Sequence, residues 1–431
     1  MINLKRLKDF LGEDLSYILS GAFFTFVFRS FGAAISFFMN IIVAREIGAD
    51  GIGSYHLVLT LSTVFSTIAL LGFNNLLTKI VPQFVLEQVK ISSLFTRAVK
   101  YSFGTSLIIS LILWLVSYHQ SINGNLEIAL RFTSLSVGAM TIIPLSADYL
   151  RALLRPRISA IFQSFLIPSL LFGVVLILKS TNQLNVNNFL ISYCLIASLI
   201  SLVSFIVSIK ISPRYQDIIS RKIPLFNESK KFYYIKLVNI PLRYSDVLIL
   251  SIMVSAVDLG IYTTSLRYSV LLQFVLLAFS LISAPKISLL LSKENWMGLK
   301  QLIRRVSLGI VIITLPVTLF CLLFPQFAMG VFGKEFLAGS PVLVILTLGQ
   351  IVNMGTGVVG TLLTYSGNQS DVLKVNGVSG VLNILASIPL IHYFGILGAA
   401  ISSSLFLVLG NLAQVILVYR KFGFYSFPLL K

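Results

Sequence analysis

Four ionisable side chains stand where an apolar run leaves no water to solvate them. Arg29 falls about midway along the run 18–44, and Arg243 and Asp246 fall mid-run in 232–254. Arg267 lies about two turns into 259–282. A charged residue at the centre of a membrane helix costs roughly 2.5–3.5 kcal/mol on insertion scales, so such groups face a cavity or a partner. Three of the four are arginines. A guanidinium presents a planar fork of donors that matches phosphate or carboxylate oxygens, and the contact strengthens away from water. Arg243 and Asp246 are three apart and share a helix face, so they either join that anion-binding set or neutralise each other as an internal pair. Asp148 and Arg151 close the run 128–150 and Arg131 sits near its other end, where long side chains reach the boundary by snorkelling.

Other chemistries find little support. The chain carries no HExxH, no phosphate-binding loop and no nucleophile with a base at a useful spacing. Gly355-Thr-Gly-Val-Val-Gly360 matches the dinucleotide fingerprint in letters, but no strand precedes it, and small residues in close helix packing explain it better. His56, His119 and His392 show no ligand spacing, and Cys194 and Cys321 both lie inside apolar runs, so no metal, disulfide or cofactor is expected.

The elements that must position these residues are long. Of 431 residues, 56% are hydrophobic and 11% are charged, against roughly 25% charged in an average soluble domain. Runs of about twenty apolar residues read as transmembrane helices rather than barrel strands. Twelve are predicted: 18–44, 54–71, 99–118, 128–150, 158–178 and 189–209, then 232–254, 259–282, 306–323, 342–364, 375–393 and 396–419. The longest connectors are expected near 73–98, 210–231 and 283–305. The net charge of +18 lies between the runs, not in a basic stripe with interleaved aromatics, which argues against nucleic acid. Alternate loops hold nearly all the Lys and Arg, while the other side shows little beyond Arg45, Lys179 and Lys334. The positive-inside rule then puts both termini in the cytoplasm and supports an even count of about twelve.

The chain also looks duplicated. Ile47-Gly-Ala-Asp-Gly-Ile-Gly-Ser-Tyr55 and Val254-Ser-Ala-Val-Asp-Leu-Gly-Ile-Tyr262 each follow the first helix of a six-helix half and open the next with Gly-x-Tyr. The expected organisation is an amphipathic cytoplasmic segment at 1–15, a first lobe at 16–210, a linker at 211–231, a second lobe at 232–420 and a cytoplasmic tail at 421–431.

Five short patterns in order resemble the polysaccharide-flippase (O-antigen flippase-like) branch of the multidrug/oligosaccharidyl-lipid/polysaccharide exporter superfamily. They are Ala44-Arg-Glu-Ile-Gly-Ala-Asp-Gly-Ile-Gly-Ser-Tyr55, Asp258-Leu-Gly-Ile-Tyr262 with Arg267, Ala284-Pro-Lys-Ile-Ser288, Phe332-Gly-Lys-Glu-Phe336, and Ile388-Pro-Leu with Phe394-Gly-Ile-Leu-Gly-Ala-Ala400. The resemblance implies an all-α polytopic fold of two pseudo-symmetric six-helix lobes, V-shaped and similar to the multidrug exporters. It also implies a multi-pass protein of the bacterial inner membrane that is a transporter and not an enzyme. Its substrate would be a polyprenyl-diphosphate-linked oligosaccharide, its partners membrane lipids and polysaccharide polymerase machinery. Helices 1, 7 and 8 flank the cleft in such proteins, so Arg29, Arg243 and Arg267 would hold the diphosphate or acidic sugars. Asp246, ahead of Asp148, would be the coupling or charge-pair carboxylate. A cation-coupled multidrug antiporter would want an acidic cavity, and here Arg outnumbers Asp. A membrane polymerase or glycosyltransferase would need a sizeable external loop.

Overall fold

The computed structural model describes residues 4–86, 92–119, 124–213 and 225–427, and among them there are helices and no strands. In chain order these are α1 (Leu4–Ala69), α2 (Phe73–Leu86), α3 (Ser92–Ser117), α4 (Asn125–Ala152) and α5 (Pro156–Ala160). A π-helical turn (Ile161–Phe165) joins α5 to α6 (Leu166–Ser180), followed by α7 (Val186–Ile211), α8 (Leu225–Met253), α9 (Ala256–Ser292) and α10 (Trp296–Leu323). Then come α11 (Pro325–Gly330), a 3₁₀ turn (Lys334–Gly339), α12 (Ser340–Thr356), α13 (Val359–Tyr365) and α14 (Gln369–Phe422). The expected linker 211–231 is described only outside 214–224, and residues 1–3 and 428–431 of the expected terminal segments lie outside the described residues.

Among the described residues nine helical stretches are long and apolar enough to cross a membrane. Two of them, Phe24–Ala69 and Gln369–Phe422, run 46 and 54 residues. A straight helix of that length would reach roughly 70–80 Å, more than twice the hydrocarbon thickness. Each instead breaks at a glycine in left-handed backbone, Gly48 (φ 72°) and Gly395 (φ 55°), so each supplies two crossings. Adding α8, whose apolar half carries Lys236, Arg243 and Asp246, brings the total to about twelve.

Three expectations need correction. The connector at 73–98 holds α2, whose Phe73, Leu76, Leu77, Ile80, Val81 and Phe84 are all buried at helical spacing. At 283–305, α9 continues to Ser292 and α10 begins at Trp296, because Ile287, Leu299 and Ile303 belong to one core. The run 342–364 is not one helix: Gly357, at φ 67°, separates α12 from α13, and a Cβ there would lie 2.0 Å from the Ser307 hydroxyl.

The chain forms two compact units, one of Met1–Ile47 with Ser54–Ile240, the other of Gly48–Gly53 with Pro241–Lys431. The second unit therefore resumes at Pro241 rather than at residue 232. In the first, α4 is the central helix, packed by α2, α3 and α7. The Phe95 ring stacks on Tyr149 at 4.2 Å, and the Tyr149 hydroxyl and Ser212 Oγ share a 2.6 Å hydrogen bond. In the second, α12 packs on α9, α10 and α14, and Gly349 lets α12 approach Ser404 closely. Small residues at such crossings are how helices associate where lipid removes the hydrophobic drive. The outward faces stay apolar, as with Leu107, Ile108, Leu111 and Ile112 on α3 and Ile312, Ile313, Leu315 and Leu319 on α10.

The duplicated motif has a physical purpose in the second unit. A Cβ on Gly53 would lie 2.2 Å from the Ala256 carbonyl oxygen, and one on Gly260 would lie 2.0 Å from that of Ala49. The two matching glycines thus interlock reciprocally, each against the carbonyl four residues before the other. Glu335 adds a cap: its Oε2 accepts from the Ala49 N–H at 2.9 Å. Gly53→Ala and Gly260→Ala should each destabilise the detergent-purified protein by about 1–3 kcal/mol, the usual cost of overpacking. Thermal unfolding followed by circular dichroism measures it, and unchanged midpoints would mean the crossing relaxes freely.

Candidate functional site

Two polar clusters interrupt the apolar interior, one in each unit. The first is assembled around the π-helical turn. Arg155 stands at the N-cap position of α5 and Pro156 starts it, so the chain leaves α4 and re-enters a helix within a few residues. The extra residue of the π-turn then turns Gln163 inward, the kind of irregularity often found at functional sites. Helix α1 can approach this turn because Gly32 has no Cβ, which would sit 2.0 Å from the Ser164 carbonyl oxygen. Phe28 packs edge-on against Phe165 at 5.6 Å, and the Arg157 guanidinium lies 4.0 Å above the Phe24 ring.

That approach carries Arg29 to Gln163. Arg29 Nη2 donates to Gln163 Oε1 at 3.2 Å, and Arg151 Nη2 donates to the same oxygen at 2.9 Å. Arg151 Nη1 also pairs with Asp148 Oδ1 at 3.2 Å, while Asp148 Oδ2 accepts from Asn74 Nδ2 at 2.8 Å. Lys236 interacts electrostatically with Asp148. Asn74 and Asp148 form a buried floor, 3% and 8% exposed, and Arg29 and Gln163 are half-buried. The Arg151 side chain is 40% exposed and opens the edge. Three cations face one carboxylate, so the cluster carries a surplus of positive charge. Arg29 and Arg151 repel each other, and Asp148 offsets part of this. Such an arrangement suits an anion, which would relieve the repulsion and accept guanidinium donors.

The second cluster centres on Asp246 of α8. Its Oδ1 accepts from Asn383 Nδ2 at 3.0 Å and its Oδ2 from Ser403 Oγ at 2.5 Å. Tyr262 donates at 3.4 Å and Ser245 at 3.5 Å. Asn383 is itself oriented, because its Oδ1 accepts from Ser402 Oγ at 2.7 Å. Every one of these donors is neutral, and among the described residues Asp246 has no ion pair. Chemically the site is a carboxylate held among neutral donors.

The residues expected to act fall as follows. Arg29 and Asp148 come together in the first unit, linked through Gln163 and Arg151. Asp148 is a buried, paired carboxylate near the end of α4. Arg243, Asp246 and Arg267 belong to the second unit. Arg243 is exposed and lies 5.7 Å from the Tyr244 ring, so it does not neutralise Asp246 in spite of sharing its helix. Arg267 is half-buried on α9. Gln163, Asn74, Asn383 and Ser403 escaped the sequence reading. For Gln163 the signal was a long amide amid apolar residues at 158–178. Lys236 falls near the start of the predicted helix 232–254. Arg131 pairs with Glu127 at 2.5 Å and covers the Tyr118 ring at 4.7 Å, an anchored boundary group.

Comparison with known proteins adds the lineage. Residues 42–341 match the model of a family described as polysaccharide biosynthesis protein. The chain is 25% identical over 389 residues to the "Probable low-salt glycan biosynthesis flippase Agl15" of Haloferax volcanii, covering 88% of this chain and 79% of the relative. Among solved structures, the lipid II flippase MurJ in an inward closed conformation superposes with a TM-score of 0.70 at 16% identity, over 93% of this chain and 87% of that one. An inward-facing MATE-family multidrug resistance transporter gives 0.68 at 13% identity, over 93% and 98%. At those identities the two structures establish a shared all-helical fold.

The Asp246 cluster makes a ranked expectation. Ser403→Ala removes the shortest donor to a mostly buried carboxylate and should cost about 1–3 kcal/mol. Tyr262→Phe removes only a long bond and should cost about 0.5 kcal/mol. Thermal unfolding of the two purified variants checks the order, and a reversed order would show that the hydroxyl of Ser403 is not what holds Asp246.

Proposed function

The chain belongs to the polysaccharide biosynthesis protein family, and we propose that it is a flippase for polyprenyl-diphosphate-linked oligosaccharide repeat units. In this reading it works by alternating access in the bacterial cytoplasmic membrane, with both termini in the cytoplasm. The delivered units feed a polymerase machinery that builds a surface polysaccharide such as O-antigen, capsule or exopolysaccharide. One observation carries the reading: Arg29, Arg151 and Lys236 gather around a single carboxylate in a membrane-embedded unit, where a surplus of positive charge is costly unless an anion visits. A lipid-linked sugar diphosphate is such an anion, and its polyprenyl tail can stay in the bilayer while the polar head occupies the cluster. The flippase kinship of the Haloferax volcanii relative supports the same class of cargo.

Arg29 is assigned to the phosphates from the first unit. Arg243 and Arg267 are assigned to phosphate or acidic sugar contacts from the second. Asp246 is assigned as the coupling carboxylate, since its neutral donors leave it able to take up and release a cation. Asp148 has a different part, restraining Arg151. A cation-coupled multidrug antiporter remains the rival that shares this fold, and the excess of cations over carboxylates in the first cluster disfavours it. A membrane polymerase is disfavoured by the absence of a nucleophile–base pair in the clusters described above.

Deleting the gene in its host should pile up lipid-linked oligosaccharide on the inner leaflet, and the wild-type chain should clear it. Arg29→Ala/Arg267→Ala should clear it at least about ten-fold more slowly, since each charge-assisted contact contributes about 1.5–3 kcal/mol. Asp246→Asn should slow clearance while leaving binding intact. If intermediates never accumulate and cationic-dye efflux falls instead, the antiporter reading replaces this one.

A further inference from the structure

The first cluster holds two neutral amides: Asn74, which donates to Asp148, and Gln163, which is bonded to cations alone. The amide oxygen of Gln163 lies between two like charges. Arg29 comes from α1 and Arg151 from α4, and both donate through Nη2 to this oxygen at 3.2 and 2.9 Å. Two guanidinium groups that close repel each other, and a common acceptor is what offsets it. The choice of acceptor matters. A carboxylate at this place would neutralise the pair and compete with an incoming anion. An apolar side chain would let the two heads splay apart. A neutral amide does neither.

The donors that remain point to a ligand. A guanidinium has five N–H groups. Arg29 uses one of its five in a hydrogen bond to Gln163, and Arg151 uses Nη2 there and Nη1 on Asp148. Among the described residues, most of the fork of each makes no further hydrogen bond. The two phosphoryl groups of a diphosphate share a bridging oxygen, so they sit close enough together to engage both heads at once. A monophosphate concentrates its charge at one point and faces only one head squarely. The π-turn that carries Gln163, and the glycine at position 32 that lets α1 reach it, are the backbone features that fix this spacing.

We propose that Gln163 is a positioning residue that sets specificity: it holds Arg29 and Arg151 as a paired clamp so that the site prefers a diphosphate to a monophosphate. The inference rests on the flippase reading, because it refines the substrate class of that same site. It makes Gln163 a residue that acts through the arginines and not one that need touch the cargo.

The test uses the full chain purified in detergent, with geranyl diphosphate, geranyl monophosphate and geraniol as probes in titration calorimetry. Wild type should bind the diphosphate about ten-fold or more tighter than the monophosphate, the value of one good charge-assisted contact. Gln163→Met keeps the volume and removes the acceptor. It should bring the two phosphates to within about three-fold of each other, with the helical content by circular dichroism unchanged. Gln163→Glu keeps the oxygens, serves as the folding control, and should weaken both phosphates about ten-fold while leaving geraniol alone. Arg151→Ala should lose the same preference as Gln163→Met, and the double variant should lose no more, as expected of residues acting as one unit. If Gln163→Met retains the wild-type preference for diphosphate, or Gln163→Glu loses it, the shared acceptor does not set the preference and the inference falls, with the flippase reading untouched. If wild type binds neither phosphate better than geraniol, the flippase reading itself fails and takes the inference with it.

Discussion

Inside hydrocarbon no water is present to satisfy a polar group, and each feature of this chain follows from that. Backbone amides must bond within their own helix, which is why apolar runs of about twenty residues can only become helices. Helix association then cannot draw on the hydrophobic effect, so close packing does the work. The same rule reaches side chains. Arg29, Arg151, Asp148 and Asn74 are bonded into one connected set, and Asp246 collects four donors. A glycine where two helices cross is therefore as consequential here as a large apolar residue in a soluble core. Gly53 and Gly260 meet the backbone of a neighbour directly, and Gly32 lets α1 touch the π-turn.

The two halves of the chain share a repeated motif but not the same chemistry. Counting back from the paired glycines, the position that matches Asp246 in the first half is Met39, which is 1% exposed and apolar. The tyrosines of the motif diverge in the same way. Tyr262 donates to Asp246, whereas the Tyr55 ring packs 4.7 Å from Phe189 and edge-on to Tyr193. The repeat carries glycine at the backbone crossing, where a side-chain atom would be intolerable, while its polar positions differ. One unit ended with a surplus of cations, the other with a carboxylate among neutral donors. Keeping them on different residues leaves the carboxylate out of an ion pair with an arginine among the described residues.

Irregular backbone marks the places where these demands conflict. The π-turn at Ile161–Phe165 and the break at Gly357 are departures from helix inside otherwise apolar segments. The π-turn aims an amide at two guanidinium groups, and the break at Gly357 makes room for Ser307. Each departure exposes backbone groups that hydrocarbon would not tolerate, so each persists only where neighbouring side chains or small residues compensate.

That the long apolar segments are helical and span a membrane could be read from the letters, because hydropathy and helix length depend on residues adjacent in sequence. The repeat 47–55 and 254–262 was legible for the same reason. Short amphipathic α2 was not, since its pattern of buried residues is too brief to stand out from a connector. Nor was the partnership of the charges. Arg243 and Asp246 share a helix face and yet take different neighbours, while Arg29 and Arg151, more than a hundred residues apart, meet at one oxygen. Sequence spacing determines which face of a helix a side chain occupies. Which other helix stands against that face, and so whether a charge finds an opposite charge, a neutral amide or a like charge, is decided by packing contacts between residues distant in the chain.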